Sequence, residues 1–214
     1  MNRILVVDYG MGNLGSILNM LKKVGVPAEL SKDPGDILRA SKLILPGVGA
    51  FASAMNNLRG RGYIDALNQK ILTEKTPILG ICLGMQLFSK QSEEGDVPGL
   101  GWLDAQTVRF QFPASAQQLK VPHMGWNTIR LCQKSPLFID PGEERRFYFV
   151  HSFHMQCNDS RDVLACTRYG FEFSSAVCRG NILGTQFHPE KSHRFGLAFF
   201  KAFAAWSPVT DADK

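Results

Sequence analysis

Ile4-Leu5-Val6-Val7 is an unbroken apolar run, the signature of a strand buried on both faces. Leu14, Ile17, Leu18, Leu21 and Val24 follow at helical spacing, and Gly25 marks the stop. The pattern repeats. Ala28–Leu30 reads as a second strand, Ile37–Ala40 as a brief helix, and Lys42–Leu45 as a third strand ended by Pro46-Gly47. Phe51–Leu72 is helical with an interruption around Gly60 and Gly62, Pro77–Ile81 is a fourth strand, and Leu83–Lys90 a helix. Strand–helix alternation of this kind predicts an α/β fold, a mostly parallel central sheet flanked by helices.

The texture changes after Glu93-Glu94-Gly95. Val108, Phe110 and Phe112 alternate, and strand-like runs recur at Lys120–Pro122, Thr128–Leu131, Phe147–Met155, Val163–Thr167 and Ser175–Cys178. Helical spacing returns only at His193–Trp206. The second half is therefore expected to be β-rich, partly antiparallel, and folded back onto the parallel sheet. With no repeat and no linker, the economical reading is one domain over 1–206, with 207–214 a frayed tail.

Composition narrows the class. The 214 residues carry 24 Lys and Arg against 19 Asp and Glu, a net charge of +5. The charges are scattered, with no run that would form a nucleic-acid arm, so neither nucleic acid nor a membrane is expected as a partner. Five cysteines, an odd number with no Cys-x-x-Cys, argue against a disulfide framework and a zinc ribbon. The N-terminus is apolar for only four residues before Asp8, too short for a signal-peptide core. A reducing cytoplasm is the expected setting. Cys132, Cys157, Cys166 and Cys178 lie in apolar strands and are expected in the core.

Three constellations carry chemistry. Gly10-x-Gly12-x-x-Gly15 follows a strand and opens a helix, with Glu29 further on, which is the context of a dinucleotide fingerprint. Asp8 argues against it, because it puts a charge where a pyrophosphate would approach. Gly80-Ile81-Cys82-Leu83-Gly84 ends a strand and opens a helix. A nucleophile flanked by glycines two residues away on either side is an elbow pattern, and a helix N-terminus there favours a thiolate and offers the Leu83 N–H to an oxyanion. In His188-Pro189-Glu190, proline favours extended geometry, so His188 and Glu190 should project together as base and orienter. His151 and His154, three apart on one strand, should point to opposite faces and share no metal.

At this point the motifs carry a resemblance. Gly80-Ile81-Cys82-Leu83-Gly84-Met85-Gln86 with His188-Pro189-Glu190 resembles the triad (class I) glutamine amidotransferases, and Pro46-Gly47-Val48-Gly49-Ala50-Phe51 resembles their oxyanion strand. Asp8-Tyr9-Gly10-Met11-Gly12-Asn13, Pro122-His123-Met124-Gly125-Trp126-Asn127, Tyr148-Phe149-Val150-His151-Ser152 and Gln186–Ser192 are similar to the glutaminase subunits of imidazole glycerol phosphate synthases.

The resemblance implies a Cys82–His188–Glu190 triad and an oxyanion site from Leu83, Val48 and Gly49. It implies glutamine contacts at Gly47, Gly49, Gln86, His151, Ser152 and Phe153, with no cofactor and no metal. It implies a heterodimer with a (β/α)8-barrel cyclase that receives ammonia for histidine biosynthesis and activates the glutaminase allosterically. Asn13, Trp126, Tyr148 and Lys191 would lie at that interface, and the glycine loop would face the partner rather than a dinucleotide. Gly99–Asp104 and Lys191–Gly196 lean toward paralogues that feed ammonia to a cell-surface sugar amidotransferase, so that acceptor stands as the alternative.

Overall fold

The computed structural model describes residues 4–112, 119–138 and 144–208. The first part runs β1 (Ile4–Val7), α1 (Leu14–Lys23), β2 (Ala28–Ser31), α2 (Pro34–Arg39), β3 (Lys42–Gly47), α3 (Phe51–Gly60), α4 (Tyr63–Asn68), β4 (Ile78–Cys82) and α5 (Leu83–Gln86). The second adds β5 (Gln91–Ser92), β6 (Val97–Pro98), β7 (Ala105–Arg109), β8 (His123–Thr128), β9 (Arg130–Leu131), β10 (Arg146–His151) and β11 (Phe153–Cys157). β12 (Val163–Tyr169), β13 (Phe171–Arg179), β14 (Ile182–Thr185) and α6 (His193–Ala205) follow.

Five strands pair in parallel in the order β2-β1-β3-β4-β14. The sheet continues antiparallel through β13, β11 and β7, then pairs β7 parallel to β5 and β5 antiparallel to β6, with β12 attached at β13 and β9 at β12. The fold is thus α/β with a β-rich second half. One twelve-stranded sheet runs through both halves, and β8 and β10 form a separate antiparallel pair.

Strand alternation sorts the core. Ile4 and Val6 face one side, with Ile17 and Leu21 of α1 and Phe199, Phe200 and Phe203 of α6. Leu5 and Val7 face the other, with Phe51, Met55 and Leu58 of α3 and Tyr63 and Leu67 of α4. Both faces of the parallel set are covered, which is why its strands read as continuous apolar runs. No helix among the described residues is long and apolar enough to cross a membrane.

Several elements differ from the sequence reading. The Phe51–Leu72 helix divides at Gly62, which takes a left-handed φ of 70°, and α4 passes into a π-helical turn at Gln69–Thr73. β3 continues through Pro46-Gly47 rather than ending before them. Its pairing with β1 stops at Ile44, so the missing Pro46 N–H breaks no ladder bond on that side. The expected helix Leu83–Lys90 stops at Gln86. Beyond it, the carbonyls of Leu87, Phe88 and Ser89 accept from Leu100, Leu103 and Gly101, so a crossing segment replaces the next helical turn. Phe147–Met155 breaks at Ser152 into strands of two different sheets. Lys120–Pro122 forms no strand, whereas the more polar His123–Thr128 does. Of the expected frayed tail, Ser207 and Pro208 carry no regular structure, and 209–214 lie outside the described residues.

One buried cation ties the two halves together. Lys42 Nζ at the start of β3 donates to the carbonyls of Phe203 (2.7 Å), Ala204 (2.8 Å) and Trp206 (2.6 Å) at the end of α6. Burial lowers its pKa to about 8. The three carbonyls and the negative end of the helix favour the ammonium form in opposition. Lys42→Met should strand these acceptors and destabilise the fold by about 3 kcal/mol or more, measured by chemical denaturation. An unchanged midpoint would show that the lysine clamps nothing.

Candidate active site

Cys82 ends β4 with φ 54° and ψ −109°, a backbone region that L-residues rarely occupy. Its neighbours explain how the chain tolerates this. A Cβ on Gly80 would sit 2.6 Å from the Phe88 ring, and one on Gly84 only 1.9 Å from the Leu45 carbonyl oxygen. The turn closes because neither residue has a side chain. Because α5 has four residues, little of the favourable field expected from a long helix reaches Cys82; the local N–H groups of the first turn remain.

β3 delivers the neighbouring loop. Gly47 is the register partner of Cys82, and a Cβ on it would meet Gly84 N at 2.7 Å. Val48 is 39% exposed, and Gly49 adopts φ 108°. Tyr9, fully buried, supports this strand from below by donating its hydroxyl to Pro46 O at 2.6 Å. Burial, assisted by the charge of Cys82, raises the Tyr9 pKa and keeps the phenol a neutral donor.

β14 runs parallel to β4 on its other side and leads to His188. His188 N donates to Tyr148 O at 2.9 Å. The following residues form a 3-10 turn, Pro189–Lys191, rather than the expected extended segment. The turn brings Glu190 back, with His188 Nδ1 2.7 Å from Glu190 Oε1. Their side chains are 1% and 2% exposed. Ser192 clips the turn by donating to His188 O at 2.6 Å and accepting from Tyr148 N at 3.0 Å. Burial alone would lower the His188 pKa, but the negative charges of Cys82 and Glu190 outweigh it and raise it to about 10. With Nδ1 held by Glu190, Nε2 is the nitrogen left for Cys82.

A polar chain surrounds the sulfur. Gln186 Nε2 lies 3.7 Å from Cys82 Sγ, and Gln186 Oε1 accepts from Gln86 Nε2 at 3.1 Å. Gln86 Nε2 also donates to Phe153 O at 2.9 Å. The sequence reading places Gln86 on the substrate; here its amide N–H groups are held by protein. His151 Nδ1 lies 2.7 Å from Phe153 O, His151 Nε2 is 3.0 Å from His123 Nδ1, and His123 Nε2 is 3.2 Å from Asn127 Nδ2. The His151 ring is buried within the protein, and Ser152 is the break between β10 and β11. His151 and His154 both pack on Phe110, so their expected opposite facing does not hold, because the strand breaks between them. No group of three or more His, Cys, Asp or Glu among the described residues could hold a metal.

The glycine loop is also accounted for. Asp8 Oδ1 accepts from Gly10 N at 3.1 Å, so the loop's first N–H already faces a carboxylate rather than open space for a phosphate. Asn13 caps α1 by accepting from Ser16 N. The ring of Trp126 stacks on His193 at 5.5 Å and meets Tyr148 edge-on, and Lys191 Nζ lies over the Tyr148 ring at 5.8 Å. Trp126, Tyr148 and Lys191 are therefore one cluster beside His188. The sequence reading did not single out Gln186, Tyr9 or Ser192; each is a polar residue inside a quoted motif and has no pattern of its own.

Cysteine, histidine and glutamate thus meet at the carboxyl ends of adjacent parallel strands, the usual place for chemistry in such sheets. A family model described as class-I glutamine amidotransferase matches residues 5–204. The chain belongs to this family. The amidotransferase is 51% identical to imidazole glycerol phosphate synthase subunit HisH 2 of Methanococcus maripaludis, over 94% of this chain and 98% of that protein. It is 48% identical to the HisH 2 subunit of Pseudomonas aeruginosa over the same shares, and 48% to the HisH subunit of Sulfurimonas denitrificans over 95% and 98%. Among solved structures, a glutamine amidotransferase superimposes with TM-score 0.72 at 20% identity, covering 95% of this chain and 99% of that one. The structure of PurLQS from Thermotoga maritima gives TM-score 0.68 at 21% identity, covering 94% of this chain and 95% of that one. These two share the fold. The amidotransferase is an enzyme of the glutaminase class, and glutamine is its substrate.

Two predictions follow from the geometry of the amidotransferase. His188 should keep its proton above pH 8 in NMR titration, and Cys82→Ser should move its midpoint downward by removing a neighbouring negative charge. Equal midpoints would remove the thiolate–imidazolium pairing. Gln186→Leu should lower kcat roughly tenfold with little change in KM, since it withdraws a donor from the sulfur and not from bound glutamine. A pure KM effect would instead place Gln186 on the substrate.

Proposed function

We propose that this chain hydrolyses glutamine through Cys82, His188 and Glu190 and hands the ammonia to a separate (β/α)8-barrel cyclase, as a subunit of an imidazole glycerol phosphate synthase in histidine biosynthesis. The observation that carries the chemistry is the buried His188–Glu190 pair, 2.7 Å apart, beside a cysteine held at positive φ. The Cys82 thiolate attacks the side-chain amide carbon of glutamine. The Leu83 N–H and the Val48–Gly49 peptide take the developing oxyanion. His188 gives its proton to the leaving nitrogen, the C–N bond breaks, and ammonia departs from a thioester. His188 then takes a proton from water, which attacks the thioester and releases glutamate. Glu190 holds the imidazole orientation throughout. The Gly47, Gly49 and His151–Phe153 backbone and the Gln86 region would hold the amino-acid end of the substrate.

Ammonia that escapes to water is protonated and stops being a nucleophile, so an acceptor must seal against this edge. Val48 is 39% exposed there, and on β8, which leads into the Trp126–Tyr148–Lys191 cluster, Met124 is 62% and Trp126 40% exposed. Exposed large apolar side chains grouped around a site suit a docking face. Asn13, in the loop after β1, lies at the same edge of the parallel set. A cytoplasmic setting accompanies this reading and agrees with five free cysteines.

A second reading keeps the glutaminase and changes the acceptor to a cell-surface sugar amidotransferase. Two of the relatives above carry the number 2 in their names, which fits cells holding more than one such protein. Ammonia release from glutamine, measured with and without a cyclase barrel from the same cell and its nucleotide ligand, separates the two. Stimulation of tenfold or more by both together is expected. No response to the barrel moves the acceptor to the sugar pathway. Cys82→Ser should abolish hydrolysis while still binding the partner; hydrolysis by that variant would overturn the triad.

A further inference from the structure

Cys132 and Cys166 take no part in the glutaminase chemistry. β9 and β12 are antiparallel neighbours, with Leu131 opposite Ala165 and Arg130 opposite Cys166. Cys132 follows β9, and its N–H donates to Leu164 O at 2.9 Å, which holds it beside β12. Strand composition predicts both cysteines in the core. Instead Cys132 is exposed and Cys166 half-buried, and their Sγ atoms are 3.2 Å apart, both as free thiols. A disulfide bond is about 2.05 Å long. The sulfurs therefore need to approach by about 1 Å to bond, with the strands adjusting to let them. The register sets Cys132 diagonal to Cys166 rather than opposite it, and the two thiols, one open to solvent, still meet at 3.2 Å, which makes them a site with its own chemistry.

We infer that Cys132 and Cys166 are a reversible dithiol–disulfide site, oxidised by a small-molecule disulfide such as oxidised glutathione. Exposed Cys132 is the sulfur that such a reagent can reach. Its thiolate attacks one sulfur of the reagent, breaking that S–S bond and releasing one glutathione thiolate. Cys166 then gives up its proton, attacks Cys132 Sγ and releases the second glutathione. The two protein thiols lose two electrons and two protons, and the reagent gains both. Burial, then the Cys132 neighbour, raises the Cys166 pKa to about 12, so the closing step speeds up with rising pH.

The bond would brace a strand next to the candidate site. β12 is tied to β8 by Thr167 Oγ1 donating to Thr128 O at 3.0 Å and by Asn127 Nδ2 donating to Arg168 O at 3.1 Å. Asn127 heads the chain that ends at Phe153 O and Gln86. Closing the site would therefore stiffen β9, β12 and the base of β8, leaving Cys82 untouched.

The test uses the full chain carrying Cys82→Ser, so that the buried candidate nucleophile contributes no thiol. It is equilibrated in buffers of oxidised and reduced glutathione and read by intact mass and peptide mapping. The expected result is a loss of about 2 Da, a cross-linked peptide pair containing 132 and 166, and reversal by dithiothreitol. The oxidised form should melt roughly 5 °C higher, because a cross-link across a loop of this size restricts the unfolded chain. Cys132→Ser on the same background should show neither the mass loss nor the shift. A stable glutathione adduct on Cys132 without ring closure, a bond to Cys157 or Cys178, or no reaction at an oxidising glutathione ratio would each overturn the inference.

Discussion

The backbones of β3 and α5 meet with no side chain between them, and the position of Cys82 depends on that contact. Any Cβ on Gly84 would overlap the Leu45 carbonyl, and any Cβ on Gly47 would crowd Gly84 N. Two glycines on two different elements thus set how near the strand end and the helix start can approach. The nearness forces the chain to reverse at Cys82, which accounts for its positive φ. The strain is held by the two apolar clusters on either side of the sheet, which fix β3, β4 and α5 independently of the turn. Lys42, anchoring the start of β3 to the end of α6, secures the same strand from its other end.

Burial acts on all the histidines near the site, and their neighbours decide the outcome. His188 faces two negative groups and is raised; burial lowers His151 well below the ordinary value and His123 to about 4. Hydrogen-bond direction agrees with this division. Phe153 O can only accept, so His151 Nδ1 donates and His151 Nε2 must accept from His123 Nδ1. His123 Nε2 then accepts from Asn127. Each ring carries one proton, and a second proton on either would set two donors against each other. One protonated imidazole beside two neutral ones is what a site needs if only one group is to transfer protons.

Much of this was legible in the sequence for a physical reason. Strands buried on both faces read as apolar runs, and Ile4–Val7 and the run after Lys42 announce themselves. The elbow was legible because its steric demand admits only glycine at 80 and 84. What escaped was decided by partners distant in the chain. β14 is four residues long and reads as nothing by itself; it exists because β4 and β13 supply a ladder on each side. α5 stops early because residues 99–103 take the carbonyls its next turn would use. Cys132 and Cys166 looked like core because strand composition does not reveal which face of an edge strand is left open. Gln186 sits in a motif where every neighbour draws more notice, and only its 3.7 Å approach to Cys82 separates it from a filler residue.

The order of elements also explains why the chemistry lies where it does. β3, β4 and β14 are adjacent and parallel, so their carboxyl ends open on one edge. One strand brings the exposed loop at Val48, the next the thiol and the third the imidazole, and each is fixed by its own ladder rather than by a loop. Parallel pairing alone gives three independent backbone positions within reach of one substrate. The antiparallel second half serves that edge from the side: β10 reaches it through the Tyr148–His188 bridge, and β8 pairs with β10 along its whole length. Any movement of β8 therefore pushes on a strand hydrogen-bonded to the backbone of His188. One cross-strand pair and one main-chain hydrogen bond lead from the exposed Trp126 to His188.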